Sequence, residues 1–501
     1  MSIVCLAASS APAMAAASKS AAKTELKLQA DFSDNNPGSP ANGGEDLEGD
    51  DAEYATVITQ NPNDTYSPGL ASTWGYVGKD NKTFEFTLRQ GEEFANGAPI
   101  TAKSVAAWLN YFYKTSSSAQ ELGKVSSIQA VSKLTVRIEE TQPDPVLPFE
   151  LSEQSNAGYI ASAACAANPN LFNTSPKTCA SGEYVLDLAQ TVSGDHWTFT
   201  PSPHYYDPSA IAFSKVYMKY VADPTSAEQG LASGEFNVSE GTGSSAAAAK
   251  SAGFKVYAGG TSQALYLSLD TGGAISKPLA NLQVRQAINY AINRKAVSAV
   301  FGGGYATATD ELPTIDGFVR KYNAYYPYDP AKAKQLLAQA GYSSGFTLDD
   351  AVAPGFAPNW QEAAEVVAQD LASVGITVNF TYETPLTTYI QTIFSTSTAP
   401  LIVVTAATEP MWEDYNTDIP AANHFGGSGW HDPALGRLFS IASIAKSPAA
   451  YWQEMTARLV TNADVVPLTD SELLYFASKN ISGIDVTPSE LISPLTDWSV
   501  S

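Results

Sequence analysis

Few residue patterns in this chain are spaced to carry chemistry. Four histidines occur, His196, His204, His424 and His431, and none lies in the H-E-x-x-H helix of zinc proteases. The spacing of His424 and His431 suits neither helical metal ligation nor a known triad. Gly341-Tyr-Ser-Ser-Gly345 spells G-x-S-x-G, but a nucleophile elbow needs a strand before it and a helix after it. Here the order is reversed, so the segment reads as a helix C-cap and a turn. Gly241-Thr-Gly-Ser-Ser-Ala246 imitates a dinucleotide turn between a short strand and an Ala-rich helix. The acidic residue required about 20 positions later is missing from Tyr257-Ala-Gly-Gly-Thr. No Walker A sequence is present. With 51 Asp plus Glu, the two carboxylates of a glycosidase are always available, so an exported glycoside hydrolase stays open as an alternative. Beyond that, no catalytic residue, no metal and no cofactor is expected.

The composition narrows the partners. The 501 residues suffice for several packing units. A net charge of -23 repels phosphate backbones and anionic headgroups, which argues against nucleic acid. No run of eighteen apolar residues occurs, so no membrane-crossing helix is expected. Twenty-five Tyr, 20 Phe and 8 Trp supply rings that bind sugars or peptides by stacking and hydrogen bonding. The first residues, with Ala13-x-Ala15 as a cleavage site, read as the apolar end of an export signal over 1–23. Lipid attachment requires a start upstream of Cys5. Cys165 and Cys179 flank a polar, turn-rich segment, where a disulfide would add about 3 kcal/mol by limiting the unfolded chain. Two free thiols are the alternative.

The elements that must position any site follow from periodicity. Leu26–Phe32, Phe84–Leu88, Leu134–Ile138 and 184–200 alternate as strands. The acidic, Gly/Pro/Asn-rich stretch Asp34–Glu53 lacks EF-hand spacing and reads as a solvated loop. Thr101 caps a helix with Val105, Trp108, Leu109 and Phe112 on one face. After residue 280, longer helices alternate with short strands, the mark of βαβ units. Gln283–Val300 reads as one helix. Asp329 caps the next, with Pro330 in its first turn, Leu336 and Leu337 inward and Gly341 at its end. A strand near 346–352 leads to a helix near 359–374, stopped by Gly375 before a strand from Ile376.

Several segments, in order, resemble the family 5 extracellular solute-binding proteins, the oligopeptide, dipeptide and nickel binding components of ABC importers. They are Pro68–Trp74, Lys82–Val105, Ser181–Tyr184, Pro203–Tyr206, Leu231–Phe236, Val284–Arg294, Tyr328–Tyr342 and Asp370–Ile376. The resemblance spans roughly 26–485 and implies an α/β, two-lobed periplasmic-binding-protein-like fold (class II, cluster C) with an inserted domain and a hinged ligand cleft. It implies a discontinuous first lobe (24–66, 181–262 and 465–501), a small domain at 67–180 and a second lobe at 263–464. The hinge would run near Ser262–Leu265 and Asp464–Leu468. Most matched positions, Leu88, Phe94, Ala287 and Leu336 among them, are expected to pack and not to touch ligand.

The implied function is capture of a peptide or peptide-like solute and delivery to an ABC permease in the membrane, by an exported monomer at the cell surface or in the periplasm. An oligosaccharide is the alternative ligand in this fold, and a receptor that senses without transport is another. Peptide-binding members pin the terminal amine with a second-lobe acidic residue. By resemblance that residue is Glu409, Glu413 or Asp414 in Thr405–Tyr415. The Arg by which dipeptide binders hold a carboxylate has no counterpart in Ala353–Trp360, which argues against a short peptide held at both ends. The expected cleft groups are therefore aromatic, Tyr266, Phe356, Trp360 and Trp412, with Asn35 and Asn36 from the loop after the first strand.

Overall fold

The computed structural model describes residues 24–500 other than 31–37, 43–46, 117, 222, 313, 357, 385–387, 390, 393–398, 417–431 and 487–492. One sheet of 11 strands runs through both lobes. From the second-lobe edge its order is Ile376–Glu383, Phe346–Pro354, Leu401–Ala407, Lys255–Leu269, Val465–Ala477, Val238–Gly241, Glu25–Ala30, Lys215–Tyr220, His196–Pro201 and Tyr184–Leu186, with Ala306–Ala308 paired to Val465–Ala477. Glu25–Ala30 lies parallel to Lys215–Tyr220, and Phe346–Pro354 parallel to Ile376–Glu383. The latter pair is linked by the helix Pro358–Ser373, a βαβ unit.

Two long strands run side by side through the middle of the sheet. Lys255–Leu269 and Val465–Ala477 pair antiparallel, from Lys255 opposite Ala477 at one end to Ser268 opposite Val465 at the other. Their register slips between Ala258 and Thr261, between Thr261 and Gln263, and between Leu265 and Tyr266. Such bulges locally break the ladder and let paired strands bend. On the first-lobe side Val238–Gly241 extends the ladder, and on the second-lobe side Leu401–Ala407 does.

A separate four-stranded sheet, in the order Ala71–Tyr76, Thr83–Leu88, Thr135–Glu140 and Val125–Ala130, packs beneath the helix Ala102–Thr115. Thr101 and Ser104 cap that helix reciprocally: Ser104 N donates to Thr101 Oγ1 at 3.2 Å and Thr101 N to Ser104 Oγ at 2.9 Å. Val105, Trp108, Leu109 and Phe112 are fully buried on its inner face. Trp108 also donates to the Tyr159 carbonyl at 2.7 Å, which satisfies the one polar atom of a buried indole. Nearby, Cys165 and Cys179 form a disulfide.

The expected elements after residue 280 are present with one correction. Helices span Pro330–Gln339 and Pro358–Ser373, Asp329 accepts from Lys332 N at 2.9 Å, and Gly341 and Gly375 take left-handed φ of 88° and 98°. Gly345 turns directly against the Gly375 carbonyl, so the G-x-S-x-G segment is a close helix-to-strand turn. Gln283–Val300, however, is two helices, Leu282–Ala291 and Arg294–Phe301. The unbroken apolar period hid an N-cap: Asn293 accepts from Ala296 N at 3.4 Å while its own N–H donates to Asp370 Oδ2 at 2.7 Å.

That break turns Arg294 inward. Its Nε donates to the Pro467 carbonyl at 2.7 Å and stands 2.7 Å from Asp310 Oδ1, and both side chains are almost fully buried. Arg285 is similarly buried and donates to the carbonyls of Ala463 and Asn462 at 3.0 and 2.9 Å. Both arginines therefore hold the segment that starts the long strand at Val465. Replacing Arg294 with Ala leaves Asp310 buried without its cation and is expected to cost about 3–5 kcal/mol. The loss would be read from the urea midpoint at unchanged slope. Arg294→Met combined with Asp310→Leu should recover most of it.

Candidate functional site

The small module and the second lobe meet in one apolar cluster. The module contributes Val146 and Phe149, with Tyr66 half-buried alongside. The second lobe contributes Tyr266, Met411, Trp412, Trp452 and neighbours, with Phe356, Trp360, Tyr415 and Phe439 packed against them. Tyr266 lies just after the last register slip of its strand and is 1% exposed. Phe356, Trp360 and Tyr389 form a ring group with centroids 5.6, 5.7 and 6.5 Å apart, and Tyr389 is fixed by donating to the Val403 carbonyl at 2.7 Å. Phe439 stacks on Tyr415 at 4.5 Å and on Trp412 at 5.9 Å.

The acidic candidates flank these rings. Glu409 sits in a bridge with Thr314, and its carbonyl accepts from Ile315 N at 2.9 Å. The following helix, Met411–Asn416, is anchored at its start by Asp316, whose Oδ1 accepts from Met411 N at 2.9 Å. It presents Glu413 and Asp414, both buried. Thus Tyr266, Phe356, Trp360 and Trp412 share one cluster with the Glu409–Asp414 segment. Asn35 and Asn36 lie outside the described residues, as do His424 and His431. His196 and His204 instead pair with Asp195 and Glu93 at 2.6 and 2.9 Å.

The sequence reading missed the module's contribution. Leu147–Glu150 is a single helical turn that seats Phe149 in the shared cluster and buries Glu150 to 1% exposure. The signal was available: Glu150 is the one charge in Pro145-Val-Leu-Pro-Phe-Glu-Leu151, where an apolar run predicts burial. Burial first, then the charges of Glu413, Glu121, Asp144 and Glu409, hold the Glu150 carboxyl well above the usual carboxylate range. Burial, with Glu150, Asp64, Glu153 and Asp316 nearby, likewise raises the Tyr66 phenol.

More acid lies behind Glu150. Glu121 accepts from Ser155 Oγ at 2.6 Å and Ala157 N at 3.0 Å, and burial pushes it up to about 7. Glu153 accepts from Gln60 N at 2.9 Å and burial pushes it up to about 8. The carboxyls of Glu140 and Asp144 converge over Gly123, whose φ is 66° and where a Cβ would sit 2.2 and 2.6 Å from them. Burial raises both, and the neighbouring Asp144 raises Glu140 further, while hydrogen bonds from Val146 and Glu140 partly offset the rise at Asp144.

These shifts fix the pH response. The folded chain binds protons more tightly at Glu121 and Glu153 than an unfolded chain does at its usual 4.5. Their contribution is therefore complete below that value and is lost as pH rises through about 7 to 8. The melting temperature at about pH 5 should exceed that at about pH 8. Glu153→Gln should flatten the slope in a thermal scan across that range.

Residues 65–441 match the bacterial extracellular solute-binding proteins, family 5 Middle. Over 314 residues the chain is 28% identical to the glutathione-binding protein GsiB of Escherichia coli O1:K1, covering 61% of this chain and 59% of that protein. The match thus spans less than two thirds of that relative. In structure the chain is similar to the ABC transporter substrate-binding protein CtaP of Listeria monocytogenes, with a TM-score of 0.81 at 17% identity over 96% of this chain and 100% of that one. It is also similar to a dipeptide-binding protein of Pseudoalteromonas sp. SM9913 in complex with Met-Leu, with a TM-score of 0.77 at 20% identity over 95% of this chain and 100% of that one. These structural likenesses give the two-lobed α/β fold. Among the described residues no helix is long and apolar enough to cross a membrane.

Proposed function

We propose, from the premise that this chain belongs to the family 5 bacterial extracellular solute-binding proteins, that it captures a peptide or peptide-like solute between its lobes and delivers it to an ABC permease. The lobes are 24–66 with 181–262 and 465–501, and 263–464, with 67–180 as the inserted domain. The chain acts as an exported monomer, lipid-tethered if its start lies upstream, and releases its solute chemically unchanged. GsiB is named for glutathione, a γ-linked tripeptide, and the Pseudoalteromonas protein holds Met-Leu, which supports peptides over sugars.

The observation that carries this reading is the strand pair Lys255–Leu269 and Val465–Ala477. It joins the lobes through a ladder whose register breaks at three places. A bend concentrated there swings one lobe on the other with little change inside either. A solute that touches both sides favours the closed form by its difference in affinity between closed and open states, and by no more. Phe439, stacked on both Trp412 and Tyr415, forms the apolar wall with them, and Tyr266, Phe356, Trp360, Glu409, Glu413 and Asp414 complete the second-lobe side. Closure presents a new outer surface, and the permease reads that surface.

Calorimetry with a peptide pool and a panel of oligosaccharides, paired with small-angle scattering, tests this. Peptides should bind and shrink the radius of gyration, and Trp412→Ala should weaken binding about thirtyfold, roughly the 2 kcal/mol of one well-buried ring. An unchanged scattering profile with every peptide, or conversion of any ligand, would overturn the proposal.

A further inference from the structure

Two buried acids of the module stand directly behind its contacts with the rest of the chain. The hairpin between Ala71–Tyr76 and Thr83–Leu88 reaches across at Asn81, whose Nδ2 donates to the Ser443 carbonyl at 2.9 Å. Ser443 is the C-cap of the helix Pro433–Ala442. Beside that contact, Val146 packs into the apolar cluster that it shares with Met411 and Trp412. Both contacts lead back to Asp144. Its backbone N–H donates to the Asn81 carbonyl at 2.9 Å, and its Oδ1 accepts from Val146 N at 2.9 Å. Glu140 grips the same hairpin, since its N–H donates to the Lys82 carbonyl at 2.8 Å.

The carboxyls of these two acids converge. Glu140 Oε1 and Asp144 Oδ2 lie 2.2 and 2.6 Å from the single point that a Cβ on Gly123 would take, so the missing side chain lets the two oxygens approach each other closely. Glu140 is 5% and Asp144 1% exposed, and Glu140 Oε1 and Oε2 and Asp144 Oδ2 make no close hydrogen bond to a side-chain donor among the described residues. The titratable groups that face them bring no positive charge: Tyr76, whose hydroxyl accepts from Leu147 N at 3.1 Å, and Glu150. The nearby lysines are engaged differently. Lys82 Nζ donates to the Thr141 carbonyl at 3.0 Å, and Lys124, which is exposed, meets this region through its backbone. Two carboxylates this close and this buried repel strongly, whereas one proton between them turns the repulsion into a hydrogen bond. Burial holds both carboxyls above the usual carboxylate range, as such a pair requires. Among the described residues no three acidic, His or Cys side chains are arranged to hold a metal ion, so the cation that suits the pair is a proton.

We propose that Glu140 and Asp144 form a proton-binding site that governs the junction between the module and the helix Pro433–Ala442. With the shared proton in place, Asp144 holds the Asn81 carbonyl and Val146 N where they reach across. When the proton passes to water, the two carboxylates move apart, and Asp144 draws Asn81 and Val146 with it. In the released state both acids are solvated and regain ordinary carboxylate affinity, so release sheds a proton. Its equilibrium therefore grows about tenfold per pH unit for each proton shed, between the ordinary carboxylate range and the raised one. The junction is firmest in mild acid and loosens toward alkaline pH. This goes beyond the solute-capture reading and does not depend on it; a solute bound across the junction would be held more tightly in acid.

Hydrogen–deuterium exchange on the whole chain without solute, corrected for the intrinsic pH dependence of amide exchange, tests this. From about pH 6 to about pH 8, protection in segments 140–147 and 441–446 should fall at least about tenfold per pH unit. The helix Ala102–Thr115 should stay protected throughout and so certify the fold. Glu140→Gln and Asp144→Asn each place an amide donor where the proton sat. Both should keep the two segments protected to within about threefold over the same range. If 140–147 loosens while 441–446 does not, the acids titrate without governing the junction and the proposal falls. It falls equally if the pH slope persists in both variants, or if both variants lose protection in the helix, since the pair would then serve the module's fold alone. With no solute present, failure of the solute-capture reading leaves each of these outcomes unchanged.

Discussion

Continuity of backbone hydrogen bonding along two long strands is the constraint on which the rest of this structure depends. Lys255–Leu269 and Val465–Ala477 must pair in the first lobe and pair again in the second, because unpaired backbone groups in either core would be costly. Between those two regions the register slips three times, so order is enforced at both ends and relaxed in the middle. The second-lobe end is held by Arg285 and Arg294, which spend their donors on the carbonyls of Asn462, Ala463 and Pro467. The slipped region is thus the least regular part of a ladder whose Val465 end is pinned.

The electrostatics follow from where the module is placed. A chain with a net charge of -23 can keep most of its acid in water, yet Glu121, Glu140, Asp144, Glu150 and Glu153 are all gathered within or beside one module. Some of that acid is structural: Glu121 and Glu153 receive backbone and hydroxyl donors that fix the loops around Tyr159 and Ile58. Glu150 receives less, and it is the one that meets the second lobe. Interiors tolerate such groups by keeping them protonated or by pairing them.

Much of this was legible in the sequence. The capping box at Thr101, the buried stripe from Val105 to Phe112, the Asp329-Pro330 start and the Gly341 and Gly375 stops are local rules, decided by residues a few positions apart. The Asn293 cap was equally local but lay under an unbroken apolar period, so one helix was read where there are two. The rings Tyr266, Phe356, Trp360 and Trp412 were chosen from their chemistry and from resemblance, and they do share a cluster.

By itself, the sequence determined the alternation of strands and helices, the caps, the cysteine pair and the family, since each depends on short-range stereochemistry or on ordered segments of pattern. Only the tertiary structure decided that Glu150, from a turn in the module, stands in the field of Glu409 and Glu413 more than 250 positions away. It alone decided that Arg294 finds Asp310 and Pro467. The reason is physical: burial and charge pairing depend on which surfaces are pressed together, and no local propensity encodes the distance between two groups whose elements meet only when the sheet closes its long ladder.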